Sequence, residues 1–403
     1  MAKSAPKEIK IEDAINGIKE KGISKWLFDA LVFSFTEARR GKLKTHDEHH
    51  LEVHWLENLI RLRDQILEKR YFPSASVAFV ISDPMIREIF AAPFVDRVVH
   101  HFLYLISANW WDKRFINDSY SCRPGKGTLY GIKRVQKMMR QATAGGTKKA
   151  YIIKLDISGY FMSLPRAKLY RLVKKGLDQQ FARYKSDPAG WQLYRICDFL
   201  WRRVLLDDPV KKAHRRGPLK NWDPSILPKR KSLYWQRVGF GIVIGNLTSQ
   251  LISNIYLDQL DRYIKYVLGY KYYGRYVDDF IIIVPEEKYK QAKRDIYKIE
   301  SFLKDELGLV LHPKKRYFAS VEKGVEFIGA RIYPNVIYPS DRAQKHFRKA
   351  AMDVAYGYVG IDSLVSHMGI MTHMDAGKFI KEVFDDMGWD YQEPWWGAAG
   401  KDR

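Results

Sequence analysis

With 403 residues, 46% of them hydrophobic and 29% charged, the chain can build a large core and two or three subdomains and is too apolar to be disordered. Its formal net charge of +23 implies a polyanionic partner, because lysine and arginine gain affinity by releasing counterions condensed on a phosphate backbone. Two distant cysteines, Cys122 and Cys197, exclude a disulfide scaffold or a zinc module. No apolar run reaches the roughly 18–20 residues of a membrane span, so a cytoplasmic protein with no membrane partner is expected.

In chain order, residues 11–21, 23–38 and 50–69 read as helices from apolar residues at three- and four-residue spacing. The basic connector 38–44 suits either a phosphate backbone or a solvated loop. His50 and His54 stand at i, i+4 near His46 and His49, yet no HExxH pattern accompanies them. The polar face of an amphipathic helix is the expectation. Residues 71–82 read as extended, and Arg87-Glu-Ile89 leads into an apolar-faced helix over 94–103. A Gly-rich basic loop, residues 117–128, opens a helix over 129–141, an arrangement that offers backbone N–H groups to phosphate. Residues 150–156 form an apolar strand ending on Asp156. Helices continue to about residue 205. The proline- and lysine-rich stretch 207–233 reads as a surface insertion rather than core, either mobile or in contact with RNA.

The central stretch is Lys271-Tyr-Tyr-Gly-Arg-Tyr-Val-Asp-Asp-Phe-Ile-Ile-Ile-Val284, flanked by helices over 252–268 and 286–307. Runs 272–277 and 280–284 have strand composition and Asp278-Asp279 has turn composition, so a β-hairpin with two carboxylates at its tip is expected. Like charges side by side repel, and a hard divalent cation such as Mg2+ is the economical remedy. Residues 309–315 and 325–333 are strand-like. Beyond about residue 338 the chain is helical and basic, and 390–403 read as a loosely held tail.

The order of strand-Asp156, Phe161 five residues on, the Gly-rich stretch 239–250 and Tyr276-Val-Asp-Asp279 resembles motifs A, B and C of reverse transcriptase palms. Tyr120-Ser-Cys-Arg-Pro-Gly-Lys-Gly-Thr128 is similar to a Tyr-x-x-Arg-Pro-x-Lys-Gly segment of bacterial reverse transcriptases. The likeness runs from about residue 84 to 334. It implies an α+β right-hand polymerase of fingers, palm and thumb, its antiparallel palm sheet bearing the Tyr-Val-Asp-Asp hairpin. The implied divisions are a helical extension over 1–70, fingers over 71–150, a palm over 151–334 with the basic insertion at about 205–235, and a helical thumb and tail over 335–403.

The resemblance also implies roles. Asp156 and Asp278 would bridge two Mg2+ ions, for which Mn2+ can substitute, with the carbonyl of Ile157 completing one shell and Asp279 nearby. Arg87 would grip the incoming triphosphate, and Arg123 and Lys126 would contact template or nucleotide. Phe161 would sit under the sugar and reject a 2′-hydroxyl. Lys315, or its neighbour Lys314, would serve the pyrophosphate, and residues 325–333 resemble a primer-contacting hairpin. In motif B most reverse transcriptases have glutamine-glycine followed by serine-proline. This chain has Ile244-Gly245 and Ser249-Gln250, the form of diversity-generating retroelements, with Val243 where that family often has proline.

Such an enzyme copies a template-repeat RNA into mutagenised cDNA from deoxynucleoside triphosphates. Its partner is an accessory variability determinant, a small basic helical oligomer. Isoleucine supplies only packing where glutamine would hydrogen-bond, so low fidelity is expected, mainly at template adenines. The alternatives are a bacterial reverse transcriptase of the antiphage-defence or retron-like kind copying a noncoding RNA, and a relative that binds RNA without catalysis. The intact Asp156, Asp278 and Asp279 speak against the last.

Overall fold

The structure is a computed structural model and describes residues 8–40, 54–82 and 85–389. His46, His49, His50, residues 41–44 of the basic connector and the tail 390–403 lie outside the described residues. The chain is α+β, as expected, and divides into two compact units. One comprises Met1–Ile116, Ile157–Asp261 and Phe302–Val310, and the other Asn117–Asp156, Arg262–Ser301 and Leu311–Arg403.

In the first unit the two expected N-terminal helices run end to end as α1 (Ile11–Arg39) and meet at a kink, where Gly22, at φ +79° and ψ 155°, leaves the helical region. Helix α1 packs on α3 (Phe94–Asp112) and on α2 (Trp55–Leu67), burying Leu27, Leu31, Leu59 and Phe102. Helices α4 (Arg166–Gln180) and α5 (Pro188–Leu206) form an antiparallel pair. Helix α5 starts on Asp187, whose carboxylate accepts from the amides of Ala189 and Gly190, with Pro188 at the first helical position. Helix α6 (Leu247–Arg262) begins earlier than expected and is followed by a π-helical turn, Tyr263–Val267.

A three-stranded sheet completes this unit. Strand β1 (Val77–Ile81) pairs antiparallel with β2 (Arg87–Ala91) and parallel with the short β3 (His214–Arg215). Strand β3 belongs to the basic insertion, so the expectation that residues 207–233 stay out of the core is corrected. Leu227 and Leu233 are buried, and Ala78, Phe90, Met162 and Leu233 form a cluster on which Val210, Ala213 and Trp222 pack. The reason is a polar anchor. Fully buried Glu88 on β2 accepts from the Ser232 hydroxyl at 2.7 Å and from the Leu233 amide at 2.6 Å.

In the second unit a four-stranded sheet has the order β5, β6, β4, β7. Strand β6 (Asp279–Pro285) lies antiparallel between β5 (Tyr272–Tyr276) and β4 (Ala150–Ile157). Strand β7 (Leu311–Ser320) is an edge strand that extends past the expected 309–315. A helix, Thr128–Ala142, covers one face. Its Ile132, Val135, Met138 and Met139 share a core with Ile152, Ile281, Ile283, Phe327 and Ile332. The last two come from the hairpin β8 (Val325–Phe327) and β9 (Ala330–Ile332), which β10 (Ile337–Pro339) extends. Helices Asp341–Ala355, Ile361–Met371 and Gly377–Asp386 close around Phe347, Leu364, Met368 and Val383.

The loop before Thr128 is fastened by charge. Buried Asp118 holds Arg134 at 2.6 and 3.2 Å and Lys265 at 3.3 Å. Replacing Arg134 by Met would leave a buried carboxylate with one ammonium. A loss of about 3 kcal/mol is expected, read as a lower urea midpoint, because removing one partner strands the other charge out of water.

Candidate active site

The site grows from the turn between β5 and β6. Only Val277 and Asp278 form the turn. Asp279 opens β6 and so lies in the strand rather than at the tip. Val277 sits at φ +56°, a left-handed position that a two-residue hairpin turn usually gives to glycine and that a β-branched residue adopts only under constraint. Arg275 supplies the constraint. Its guanidinium is fully buried and donates to the Val277 carbonyl at 2.9 Å and to the Ser119 hydroxyl at 3.1 Å.

Strand register then does the rest. Asp156, near the end of β4, is the cross-strand partner of Asp279, and Asp278 sits in the turn just before Asp279. Three carboxylates from strands far apart in sequence therefore converge. Lys315 of β7 donates to Asp156 Oδ2 at 2.8 Å, and Lys154 of β4 lies 3.1 Å from Asp279 Oδ2. Asp279 Oδ1 is buried and has no hydrogen-bond partner.

Burial pushes the Asp278 carboxyl up to about 7, helped by the charges of Asp156 and Asp279. Burial likewise lifts Asp279 to about 6, against the pull of Lys154. Among the described residues no three carboxylate, histidine or cysteine side chains stand close enough in this geometry to hold a metal ion. The two lysines do the neutralising here. The donor set still fits a hard divalent cation. Its oxygens are carboxylates, one of them is partnerless, and Asp278 is short of positive charge.

In the same unit, Arg123 donates to the Ser119 carbonyl at 2.9 Å, and Lys126 lies 3.1 Å from Asn117 Oδ1 and 5.4 Å from the centre of the Tyr130 ring. The Thr128 and Tyr276 hydroxyls meet at 3.4 Å, joining that loop to the acidic hairpin.

Arg87, Ile157, Phe161, Ile244, Gly245 and Gln250 belong to the first unit. There the Ile242 amide donates to the Phe161 carbonyl at 2.9 Å, and the Phe90 amide to the Ile244 carbonyl at 3.1 Å. Residues 239–245 are thus strung between the segment after Asp156 and β2, whose first residue is the exposed Arg87. Gly245 has φ +127°, and a Cβ there would stand 3.1 Å from the Phe90 carbonyl oxygen, so a side chain would be both strained and tightly crowded. Ile244 packs on the Phe90 cluster, Ile157 is buried at the end of β4, and Gln250 is exposed on α6.

Two residues of the site carry no sequence-based expectation. Lys154 interrupts an apolar strand two residues before Asp156, and the period of two places it on the same face. Arg275 stands alone in an aromatic run; an arginine in a strand that is otherwise buried was the available signal.

The family profile described as reverse transcriptase (RNA-dependent DNA polymerase) matches residues 87–332. Protein YkfC of Escherichia coli strain K12 is 23% identical over 304 residues, covering 67% of this chain and 70% of its own length. Nuclear intron maturase 2, mitochondrial, of Arabidopsis thaliana is 25% identical over 238 residues, covering 52% of this chain and 30% of its own. Similar solved structures include apo telomerase from Candida tropicalis, with a TM-score of 0.45 and 13% identity over 80% of this chain and 60% of that one. Telomerase from Candida albicans, in complex with a TWJ fragment of telomeric RNA, has a TM-score of 0.45 and 11% identity over 98% of this chain and 72% of that one. The chain thus spans 60% of the first telomerase and 30% of the maturase.

Proposed function

Because the chain belongs to the reverse transcriptases, the RNA-dependent DNA polymerases, we propose that Asp156, Asp278 and Asp279 are its catalytic centre for extending a DNA primer on an RNA template. The observation that carries this is the register placing Asp156 opposite Asp279, with Asp278 on the adjoining turn. Two Mg2+ ions, or Mn2+ in their place, would supply activation of the primer 3′-hydroxyl and offset the charge developing on pyrophosphate. Asp156 and Asp278 are the residues to hold them, with the Ile157 carbonyl, and Asp279 stands beside them. Lys315, whose side chain is 58% exposed, can leave Asp156 for the departing pyrophosphate and donate charge or a proton there. Arg87 can give two hydrogen bonds to a triphosphate, and Arg123 and Lys126 suit template or nucleotide phosphate. The hairpin of β8 and β9 serves the primer end.

In this reading residues 71–150 act as fingers, 151–334 as palm and 335–403 as thumb, with 1–70 a helical extension. The basic insertion serves RNA. Lys211, Arg216, Lys220, Arg230 and Arg237 are exposed there, and Lys229 Nζ lies 4.3 Å from the centre of the exposed Trp235 ring. Trp235→Ala is expected to weaken single-stranded RNA binding about 5- to 100-fold in a filter assay, the range for loss of one base-stacking platform. Among the described residues no helix is long and apolar enough to cross a membrane, and Cys122 and Cys197 are free, which suits a reducing cytoplasm.

The finer reading is the diversity-generating type. It copies a template-repeat RNA into mutagenised cDNA, with an accessory variability determinant as a basic helical partner. Its support is Ile244, whose side chain packs on the Phe90 cluster and offers no hydrogen bond to an incoming nucleotide. Ile244→Gln is expected to lower misincorporation opposite template adenine about 10-fold, the worth of one discriminating hydrogen bond. An unchanged error spectrum in sequenced cDNA contradicts it. The activity itself is tested by primer extension on RNA with deoxynucleotides and Mg2+. DNA product is expected, and a bound but unextended primer contradicts the proposal.

A further inference from the structure

Lys154 stands apart from the other cations near the carboxylates because its ammonium has two anchors. It lies 3.1 Å from Asp279 Oδ2 and donates to the backbone carbonyl of Glu326 at 2.9 Å. Its side chain is only 24% exposed, and Nζ lies 5.9 Å from the centre of the buried Phe327 ring. Lys315, by contrast, is 58% exposed on an edge strand. One ammonium is built into the sheet and the other is free to swing.

Glu326 belongs to β8, so the second anchor lies on a different element from the first. The β8 and β9 hairpin and the start of β6 share this one group. An ammonium between a carboxylate and a carbonyl can donate to both at once, and burial strengthens each bond relative to water. With Oδ2 committed to Lys154, the Asp279 carboxylate has a fixed rotation, which leaves the partnerless Oδ1 as its available oxygen.

We infer that Lys154 is a positioning residue: its ammonium ties the Asp279 carboxylate to the β8 and β9 hairpin and sets the orientation of both. The inference rests on the polymerase reading for its catalytic consequence, since that reading puts the primer end at the hairpin and nucleotide addition at the carboxylates. A displacement of about 1 Å between those two parts costs a large factor in rate without weakening nucleotide binding. Lys154 touches neither substrate in this scheme. It acts through Asp279 and the Glu326 carbonyl.

The test compares the parent, Lys154→Met, Lys154→Arg, Asp279→Asn and the Lys154→Met/Asp279→Asn pair. Methionine keeps the unbranched stem against Phe327 and removes only the charge and donors, so a role confined to packing survives it. Lys154→Met is expected to lower kcat for primer extension about 10- to 30-fold with the deoxynucleotide KM within about threefold, and Lys154→Arg to stay near the parent. The double variant should be no slower than Asp279→Asn alone, because a pair acting as a unit is lost once. Without nucleic acid, amide exchange over residues 325–332 should be faster in Lys154→Met than in the parent or Lys154→Arg. Parent-like exchange there, or losses that multiply in the double variant, overturn the inference. If the parent makes no DNA, the polymerase reading fails by itself, and the exchange comparison still decides whether Lys154 joins the two elements. Should the Met variant not fold, Lys154→Gln takes its place in the same comparison.

Discussion

Asp278→Asn is expected to lower RNA-templated DNA synthesis by about 1,000-fold or more and, in the same protein stripped of metal, to raise the melting temperature at pH 8. The first effect follows from removing a charged oxygen ligand where transition-state charge must be held; about 4 kcal/mol of lost stabilisation is a factor near 1,000. The second follows from the sign of the proton linkage. Asp278 in the folded chain is pushed up to about 7 by burial and by its acidic neighbours, whereas in the unfolded chain it returns to an ordinary value near 4.

Between those values the folded state binds more protons than the unfolded state. Stability contributed by the protonated acid is therefore present below about pH 4 and is lost as the pH rises through about 7. Asparagine copies the protonated acid in shape and cannot ionise. Its advantage should be largest above pH 7 and shrink towards zero near pH 4. Each kcal/mol recovered corresponds to roughly 2–4 °C in a domain of this kind, and a scan in EDTA between pH 4.5 and 8 reads it. A variant that loses activity but melts at or below the parent at pH 8 contradicts the picture of a carboxylate held at a cost to stability.

Phe161→Ala carries the second large effect, a relaxation of sugar selectivity. If the ring lies under the sugar of the incoming nucleotide, its removal should raise ribonucleotide use relative to deoxynucleotide use by about 100-fold, the discrimination that packing alone gives against an added hydroxyl. The ring can act as a gate only if it is held. Tyr160 beside it is buried, with its hydroxyl donating to the Ser253 carbonyl at 2.7 Å and its ring centre 5.2 Å from that of Phe161. The Phe161 carbonyl accepts from Ile242, a main-chain bond that the substitution leaves in place. The measurement is the ratio of kcat/KM for a matched ribonucleotide and deoxynucleotide. A ratio that does not move returns Phe161 to a packing role.

The carboxylates were legible because burying a charge is costly, and an aspartate that closes an apolar run such as 150–156 calls for a function. Strand composition placed β4, β5 and β6 to within a residue or two. It could not assign the turn, because the left-handed backbone of Val277 depends on Arg275 reaching its carbonyl, a contact no composition rule encodes. The docking of the basic insertion was hidden for a related reason. Its charges and prolines describe most of its surface, whereas Leu227, Leu233 and the Ser232 hydroxyl, few and scattered, decide where it sits. The break between the two N-terminal helices was legible at Gly22, because glycine reaches φ +79° without steric cost and the helical spacing resumes after it. The doubly anchored ammonium of Lys154 became visible only when the Asp279 carboxylate and the Glu326 carbonyl were brought to it from two later parts of the chain.

The proposed catalytic centre requires divalent cations held by Asp156 and Asp278 beside Asp279, and iron-directed cleavage tests that most directly. Fe2+ substituted for Mg2+, with ascorbate and peroxide, cuts backbone close to where the ion is held. Cuts are expected next to Asp156 and around Asp278 and Asp279, suppressed by added Mg2+ and absent from the Asp156→Asn/Asp278→Asn variant. Cleavage elsewhere, or cuts at those positions that persist unchanged in the double variant, would contradict it.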